Sequence, residues 1–301
     1  MKDLIESGAI PLTRLLTVHR QAQDSSIISL AHAVKNNHLP DDLRVKKPDR
    51  LYVEATHQQI PVYLKQIVEN AISKGYTANE VQVLVPMYRG DCGIDSLNVM
   101  LQEIFNPPDE QNKREMTFGQ RIFRIGDIAL QLANQPETGV MNAVVGEVIG
   151  ISYKNENDDK EEKLIACFDT KEVTYKKGDL QNLTHAYCVS VHKSQGSEYP
   201  IVILPMTHAY HVMLQKKLIY TAITRAKRSL IVIGEYLAFD KGVKNEGEER
   251  QTTLRLRFDL QKEQVPKENP FADYFKEHHI PFDYLDEEQL EGITPYDFME
   301  E

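Results

Sequence analysis

The sequence predicts an α/β protein: a parallel sheet with helices on both faces, an inserted small β-barrel, and an acidic tail. Three observations predict it. Apolar strand-like runs alternate with amphipathic helical stretches on either side of the middle of the chain, the pattern of a parallel sheet whose crossovers are helices. Between them, residues 118 to 180 read as short strands separated by Gly and Asp turns, the spacing of a small barrel. Finally, residues 271–301 hold ten acidic side chains against one Lys, with Phe271, Tyr274, Phe275, Phe282, Tyr284, Tyr296 and Phe298 interleaved.

In chain order, Ala9–Arg14 precedes Leu15-Leu-Thr-Val-His-Arg-Gln21. Asp24, Ser25 and Ser26 then offer caps for a helix from about Ser25 to Asn36, with Ile27, Ile28, Leu30, Ala31 and Val34 as its apolar stripe. Asp41–Arg50 is a charged connection. Leu51–Glu54 reads as a strand, Ile60–Lys74 as a helix stopped by Gly75, and Val81–Met87 as a strand buried on both faces. Tyr88-Arg-Gly-Asp-Cys-Gly93 turns into a helix over Ile94–Phe105, which Asn106-Pro-Pro108 ends. Barrel strands are predicted over Gly126–Leu132, Val144–Tyr153, Lys163–Asp169 and Glu172–Lys176. The parallel pattern resumes at Tyr187–Val191, Ile201–Leu204 and Ser229–Ile233. Beyond Glu235 a polar stretch leads to a short helix over Thr252–Leu260 and a loosely held tail.

Composition bounds the function classes. No apolar run approaches the roughly 20 residues of a membrane span, and Met1-Lys-Asp-Leu-Ile-Glu-Ser has no signal-like apolar region, so no membrane partner and a cytoplasmic location are expected. Cys92, Cys167 and Cys188 are odd in number and far apart, and they read as small buried apolar residues rather than disulfide or zinc ligands. The net charge is −10, but the last 31 residues carry −9 of it, which leaves the other 270 near −1. A near-neutral body can carry a basic groove, so nucleic acid is not excluded. The tail itself can mimic DNA, dock on a protein partner, or simply solubilise.

The most specific stretch is Ala186-Tyr-Cys-Val-Ser-Val-His-Lys-Ser-Gln-Gly-Ser-Glu-Tyr-Pro-Ile-Val-Ile-Leu-Pro205, followed by Leu218-Ile-Tyr-Thr-Ala-Ile-Thr-Arg-Ala-Lys-Arg228. It resembles motifs V and VI of superfamily 1 helicases, most closely the RecD-like branch, the family of the exodeoxyribonuclease V alpha subunit. No Gly in the chain is followed by Lys, so a Gly-Lys-Ser/Thr phosphate loop is missing and the chain looks like the second half of a two-lobed motor.

The resemblance covers about residues 1–240. It implies a second RecA-like domain (P-loop NTPase type) over 1–115 and 183–240, an inserted SH3-like barrel over 116–182, and a carboxy-terminal extension over 241–301. In the barrel, relatives carry an Asn-Gly-Asp-like turn where this chain has Asn142-Ala143-Val144. The start falls just after the point where motif III would end, so a piece of a longer protein is expected.

In such a motor ATP and Mg²⁺ lie between two lobes, at the carboxyl ends of the strands. The missing amino-terminal RecA-like lobe supplies the phosphate loop and metal ligands, and this lobe supplies cations. By resemblance Arg225 is the motif VI arginine finger and Arg20, in Val-His-Arg-Gln, the motif IV arginine reaching the same phosphate. Arginine suits both places because its guanidinium stays charged and offers a fork of donors; the plain alternative is a surface salt bridge. Ser190 aligns with a Thr that touches a DNA phosphate, keeping the hydroxyl and losing a methyl. His192 and Lys193 lie beside the DNA strand, whereas Gly196 and Glu198 approach the nucleotide, Glu198 meeting its ribose. The alternatives are a structural hydrogen bond for His192 and a solvated charge for Lys193. Tyr88 and Arg89 follow a buried strand and can stack a base and hold a phosphate, or form a structural turn.

Two other patterns carry less. His208 and His211 stand three apart with no third ligand nearby. Leu285-Asp-Glu-Glu-Gln289 superficially resembles a Walker B strand end, but Pro281 and Asp283 interrupt the strand it would need. No acidic cluster has nuclease spacing. The expected function in the whole protein is ATP-driven 5′ to 3′ translocation on single-stranded DNA with duplex unwinding, in repair or recombination. The alternative is a non-enzymatic DNA-binding or partner-binding module that keeps the fold.

Overall fold

A computed structural model describes residues 25–109, 114–156 and 159–247, with Ile5 and Thr13 besides. Arg20, the first segment through Gln21, the helix expected over 252–260, the Walker-B-like stretch and the acidic tail lie outside the described residues.

Five parallel strands form the main sheet in the order β1-β12-β11-β2-β10: β1 (Arg50–Glu54), β2 (Val81–Val85), β10 (Cys188–Ser190), β11 (Tyr199–Met206) and β12 (Ala226–Gly234). All five β2 residues are buried, which requires cover on both faces. The cover comes from two helix groups. α1 (Ser26–Lys35) packs on α4 (Lys216–Ile223), which also meets α5 (Tyr236–Lys244), and α2 (Ile60–Ser73) packs on α3 (Ile94–Phe105). This is a RecA-like α/β lobe.

Local chemistry explains the boundaries. Ser25 caps α1, its hydroxyl accepting from the Ile27 amide at 3.2 Å, and the Asp49 carboxylate accepts from the Ser25 hydroxyl at 2.7 Å. α2 carries Pro at its start and is followed by Gly75, whose φ of +86° suits glycine. α5 occupies a stretch read from sequence as polar connection. Its buried positions Ala238, Phe239, Gly242 and Val243 form the expected stripe, and Gly242 belongs there because a Cβ would lie 2.7 Å from Ile219 Cδ1.

The insertion leaves the main sheet after α3. A hairpin, β3 (Glu115–Phe118) with β4 (Arg121–Arg124), precedes an antiparallel sheet ordered β8-β7-β6-β5-β9. Its strands are β5 (Ile128–Gln131), β6 (Val145–Ser152), β7 (Lys163–Phe168), β8 (Lys171–Lys176) and β9 (Leu183–His185). β9 extends this sheet beyond residue 182, and the chain then re-enters the parallel sheet at β10, beside β2. The barrel has its own core around Phe123, Val148, Leu164, Tyr175 and Leu183. Strand alternation lets β5 serve both bodies, with Ile128 and Leu130 in the main core and Ala129 in the barrel core.

A buried polar knot joins the two. The Asp127 carboxylate, fully buried, accepts from Gln102 Nε2 at 2.6 Å and Asn106 Nδ2 at 2.7 Å, both from the end of α3. It also accepts from the Arg124 amide at 2.7 Å and the Tyr187 hydroxyl at 2.8 Å, and His185 Nε2 stands 3.3 Å away. Cys92 and Cys188 are buried as expected, whereas Cys167 is partly exposed because it alternates outward on β7. Among the described residues no helix is long and apolar enough to cross a membrane.

Candidate functional site

β10 is an edge strand whose open side is completed by a side chain. The Asn98 amide of α3 donates to the Cys188 carbonyl and accepts from the Cys188 amide, both at 2.8 Å. The loop after this strand must travel from the carboxyl end of β10 to the amino end of β11, because the two strands run parallel. It starts as a tight turn in which the Ser190 carbonyl accepts from the amides of Lys193 at 2.9 Å and Ser194 at 3.2 Å. The Ser190 side chain is buried, and its hydroxyl accepts from the Lys193 amide at 3.3 Å. The turn exposes His192, Gln195 and Gly196 and leaves Lys193 half-buried. Gly196 adopts φ +88° with open space where a Cβ would stand, so it is a turn residue with room for something to approach.

At the far end of the loop the nucleotide candidates gather. Arg225 follows α4 and precedes β12. Its guanidinium is buried and donates to the carbonyls of Ser197 at 2.9 Å and Thr221 at 3.2 Å. Its own carbonyl accepts from the Tyr199 amide at 2.9 Å. Glu198 pairs with Lys227 at 3.0 Å. Burial pushes the Tyr199 hydroxyl pKa up, against the opposing pull of Ser197 and the Arg225 charge, so this ring stays a neutral neighbour.

Gly196, Glu198 and Arg225 therefore share one place, and that place is the amino end of β11 and β12. The sequence leads to the expectation that ATP lies at the carboxyl ends of the strands, whereas in this lobe the three candidate residues lie at the amino end of β11 and β12. The reason is topological: the motif VI residue stands before its strand, and the motif V loop crosses to the same edge.

The DNA candidates lie at the opposite edge. Ser190 is level with Val85 of the neighbouring strand, and the Tyr88–Gly93 turn begins just beyond Val85. Tyr88 and Arg89 are exposed. The turn folds over the start of α3, with the Ile94 amide donating to the Met87 carbonyl at 2.9 Å and the Asp95 amide to the Tyr88 carbonyl at 3.1 Å. Gly93 permits this: a Cβ there would sit 2.5 Å from the carbonyl oxygens of both Tyr88 and Arg89. One edge thus presents exposed aromatic and cationic groups suited to a polyanion. The other presents a buried, oriented guanidinium suited to a single phosphate, and residues 191–198 connect them.

Two contributors were not singled out from sequence. Asn98 was hidden inside an apolar helix, although Asn98, Gln102 and Asn106 recur every fourth residue and share its buried face. Asn142, in the barrel turn, accepts a hydrogen bond from the Lys193 ammonium; only its place in the departing Asn142-Ala143-Val144 turn marked it. Ala143 has φ +68°, the left-handed region where glycine is at ease. Of the two histidines, His208 is exposed at a 3-10 turn and its carbonyl lies 3.2 Å from His211 Nδ1.

Comparison with known proteins follows the same division. Residues 185–233 match the family described as UvrD-like helicase C-terminal domain, and residues 97–168 the ATP-dependent RecD-like DNA helicase SH3 domain. The ATP-dependent RecD2 DNA helicase of Deinococcus radiodurans is 29% identical over 83% of this chain and 32% of its own length. The RecBCD enzyme subunit RecD of Buchnera aphidicola is 25% identical over 60% of this chain and 29% of its own. The chain thus spans about a third of these relatives. The crystal structure of Pif1 helicase from Candida albicans aligns with a TM-score of 0.45 at 13% identity, covering 84% of this chain and 62% of that one.

Proposed function

We propose, from the similarity to RecD-like superfamily 1 helicases, that the chain is the carboxy-terminal half of such a protein and one lobe of an ATP-driven DNA motor. In the whole protein, the amino-terminal lobe holds the β-phosphate and Mg²⁺. Arg225, with Arg20, meets the charge that develops on the γ-phosphate. Ser190, His192, Lys193, Tyr88 and Arg89 hold single-stranded DNA, with 5′ to 3′ translocation serving repair or recombination. The ATP relationship and the DNA relationship are both carried by one loop.

The observation that carries this reading is the double attachment of residues 191–198. One end is tied into the Ser190 turn beside the exposed Tyr88 and Arg89, and the other is gripped by Arg225 through the Ser197 carbonyl at 2.9 Å. A nucleotide phosphate competes with that carbonyl for the guanidinium. Its arrival releases the near end of the loop and alters the presentation of the far end to DNA, which is how hydrolysis couples to movement on the strand.

The test is Arg225→Ala in the full-length protein. DNA-stimulated ATP hydrolysis should fall by roughly 10³-fold, while single-stranded DNA is still bound at low salt but with an affinity that no longer responds to nucleotide. A near-wild-type turnover rate would remove Arg225 from this role. The present chain alone, which has no Gly-Lys-Ser/Thr loop, should hydrolyse no ATP above background with or without DNA.

A further inference from the structure

The geometry points to Asn142 as the positioning residue for Lys193, so that the inserted barrel aims a cation of the RecA-like lobe at a DNA phosphate. This rests on the reading that Lys193 faces the strand, and it assigns to the barrel a part in setting that contact.

Three observations support it. The first is the acceptor: Lys193 Nζ donates to the Asn142 side-chain oxygen, 51 residues away in sequence. Eight other described lysines, Lys47, Lys65, Lys163, Lys176, Lys177, Lys216, Lys227 and Lys244, instead stand within 4.0 Å of a carboxylate. A carboxylate cancels most of an ammonium's charge. A neutral amide fixes its position with one of three N–H groups and leaves the charge and two donors for an anion.

The second is that Asn142 is itself held firmly. Its backbone N–H donates to Asn134 Oδ1 at 2.8 Å, and the backbone N–H of Ala143 donates to the Gln131 carbonyl at 2.9 Å. Gln131 is fully buried, its side chain accepting from the Tyr175 hydroxyl at 2.6 Å and donating to the Ala133 carbonyl at 2.8 Å. The third is strain: Ala143 keeps φ +68° with an L side chain. A strained conformation persists where surrounding bonds impose it, and such positions concentrate at functional sites.

The experiment measures binding of the full chain to a fluorescein-labelled oligo(dT) over a salt series, for wild type, Lys193→Ala, Asn142→Ala, Asn142→Asp and the Lys193→Ala/Asn142→Ala double variant. Lys193→Ala should weaken binding and flatten the plot of log affinity against log salt by roughly 0.7, the loss of one phosphate contact on a single strand. Asn142→Ala should weaken binding about threefold, the scale of one hydrogen bond, and add nothing in the Lys193→Ala background. Asn142→Asp, the same shape with a charge that neutralises Lys193, should lose the full slope of Lys193→Ala; a side chain that only shaped the turn would tolerate it. If Lys193→Ala binds like wild type, the DNA role of Lys193 fails and takes this inference with it. If Lys193→Ala is impaired while the Asn142 variants are silent, or their effects add to it, the inference alone is overturned.

Discussion

Replacing Asp127 with Asn tests whether the polar knot under the barrel holds the two bodies together. In the wild type, Oδ1 accepts from Asn106 and Tyr187 while Oδ2 accepts from Gln102 and the Arg124 amide, all within 2.8 Å. An amide turns one of those oxygens into a donor. Placed on the Oδ2 side, it faces a backbone N–H that cannot turn away. Placed on the Oδ1 side, the Tyr187 hydroxyl can rotate to accept, but Asn106 must either surrender its bond to the Ile125 carbonyl or stand donor to donor. At least one buried donor is orphaned and the remaining bonds lose their charge, so the cost is about 2–4 kcal/mol.

Urea unfolding at pH 7, followed by circular dichroism, measures this. Acid titration supplies a second readout. Burial pushes the Asp127 carboxyl up, but hydrogen bonds and charge from His185, together with Asn106 and the Arg124 amide, outweigh it and hold the pKa below its ordinary value. A depressed carboxyl stabilises above its unfolded pKa of about 3.9, and that contribution is lost as pH falls through the folded value. Since Asn does not titrate, the gap between variant and wild type should narrow below about pH 4. A cost under about 1 kcal/mol, or a gap that stays constant into acid, would refute the reasoning.

Gly93→Ala should destabilise the chain by about 1–3 kcal/mol and weaken oligonucleotide binding, because its Cβ would strike the Tyr88 and Arg89 carbonyls and displace the turn; unchanged binding at low salt would show that the turn does not touch DNA. Ala143→Gly should act in the opposite direction: relief of the left-handed alanine exceeds the added freedom of the unfolded chain by about 0.5 kcal/mol. Denaturation would register a higher midpoint at unchanged slope, and a lower midpoint would mean that the turn is not strained.

Much of the main lobe was legible because local and tertiary preferences agree there. α3 begins and ends where Gly93 and Asn106-Pro-Pro108 mark it, and β2 reads as buried because it is. The hairpin β3–β4 was hidden by its charges: Glu115 and Arg124 face each other across the ladder and pair at 2.6 Å, a cross-strand bond that helps a polar stretch fold as strands. α5 was hidden by Gly242, a helix breaker in isolation that close packing on Ile219 requires. At the site, loop membership could be read from the motif residues, whereas their division between opposite edges of the sheet could not. That division depends on strand register and on which end of β12 carries Arg225. Asn98, Gln102 and Asn106 carry no catalytic signature, and their value depends on partners 83 to 90 residues away and, for Asp127, 21 to 25.

That stripe of amides gives α3 a mechanical meaning. Its first turn is bonded to the loop that displays Tyr88 and Arg89, its middle grips the backbone of the strand that ends at Ser190, and its last turn is bolted to the barrel through Asp127. A rigid rod with three fixed attachments cannot move at one without moving at the others. Under the proposed DNA role of Tyr88, a nucleobase levering against it would reach the loop after Ser190 and the barrel by the same stroke, with α3 as the shaft between them.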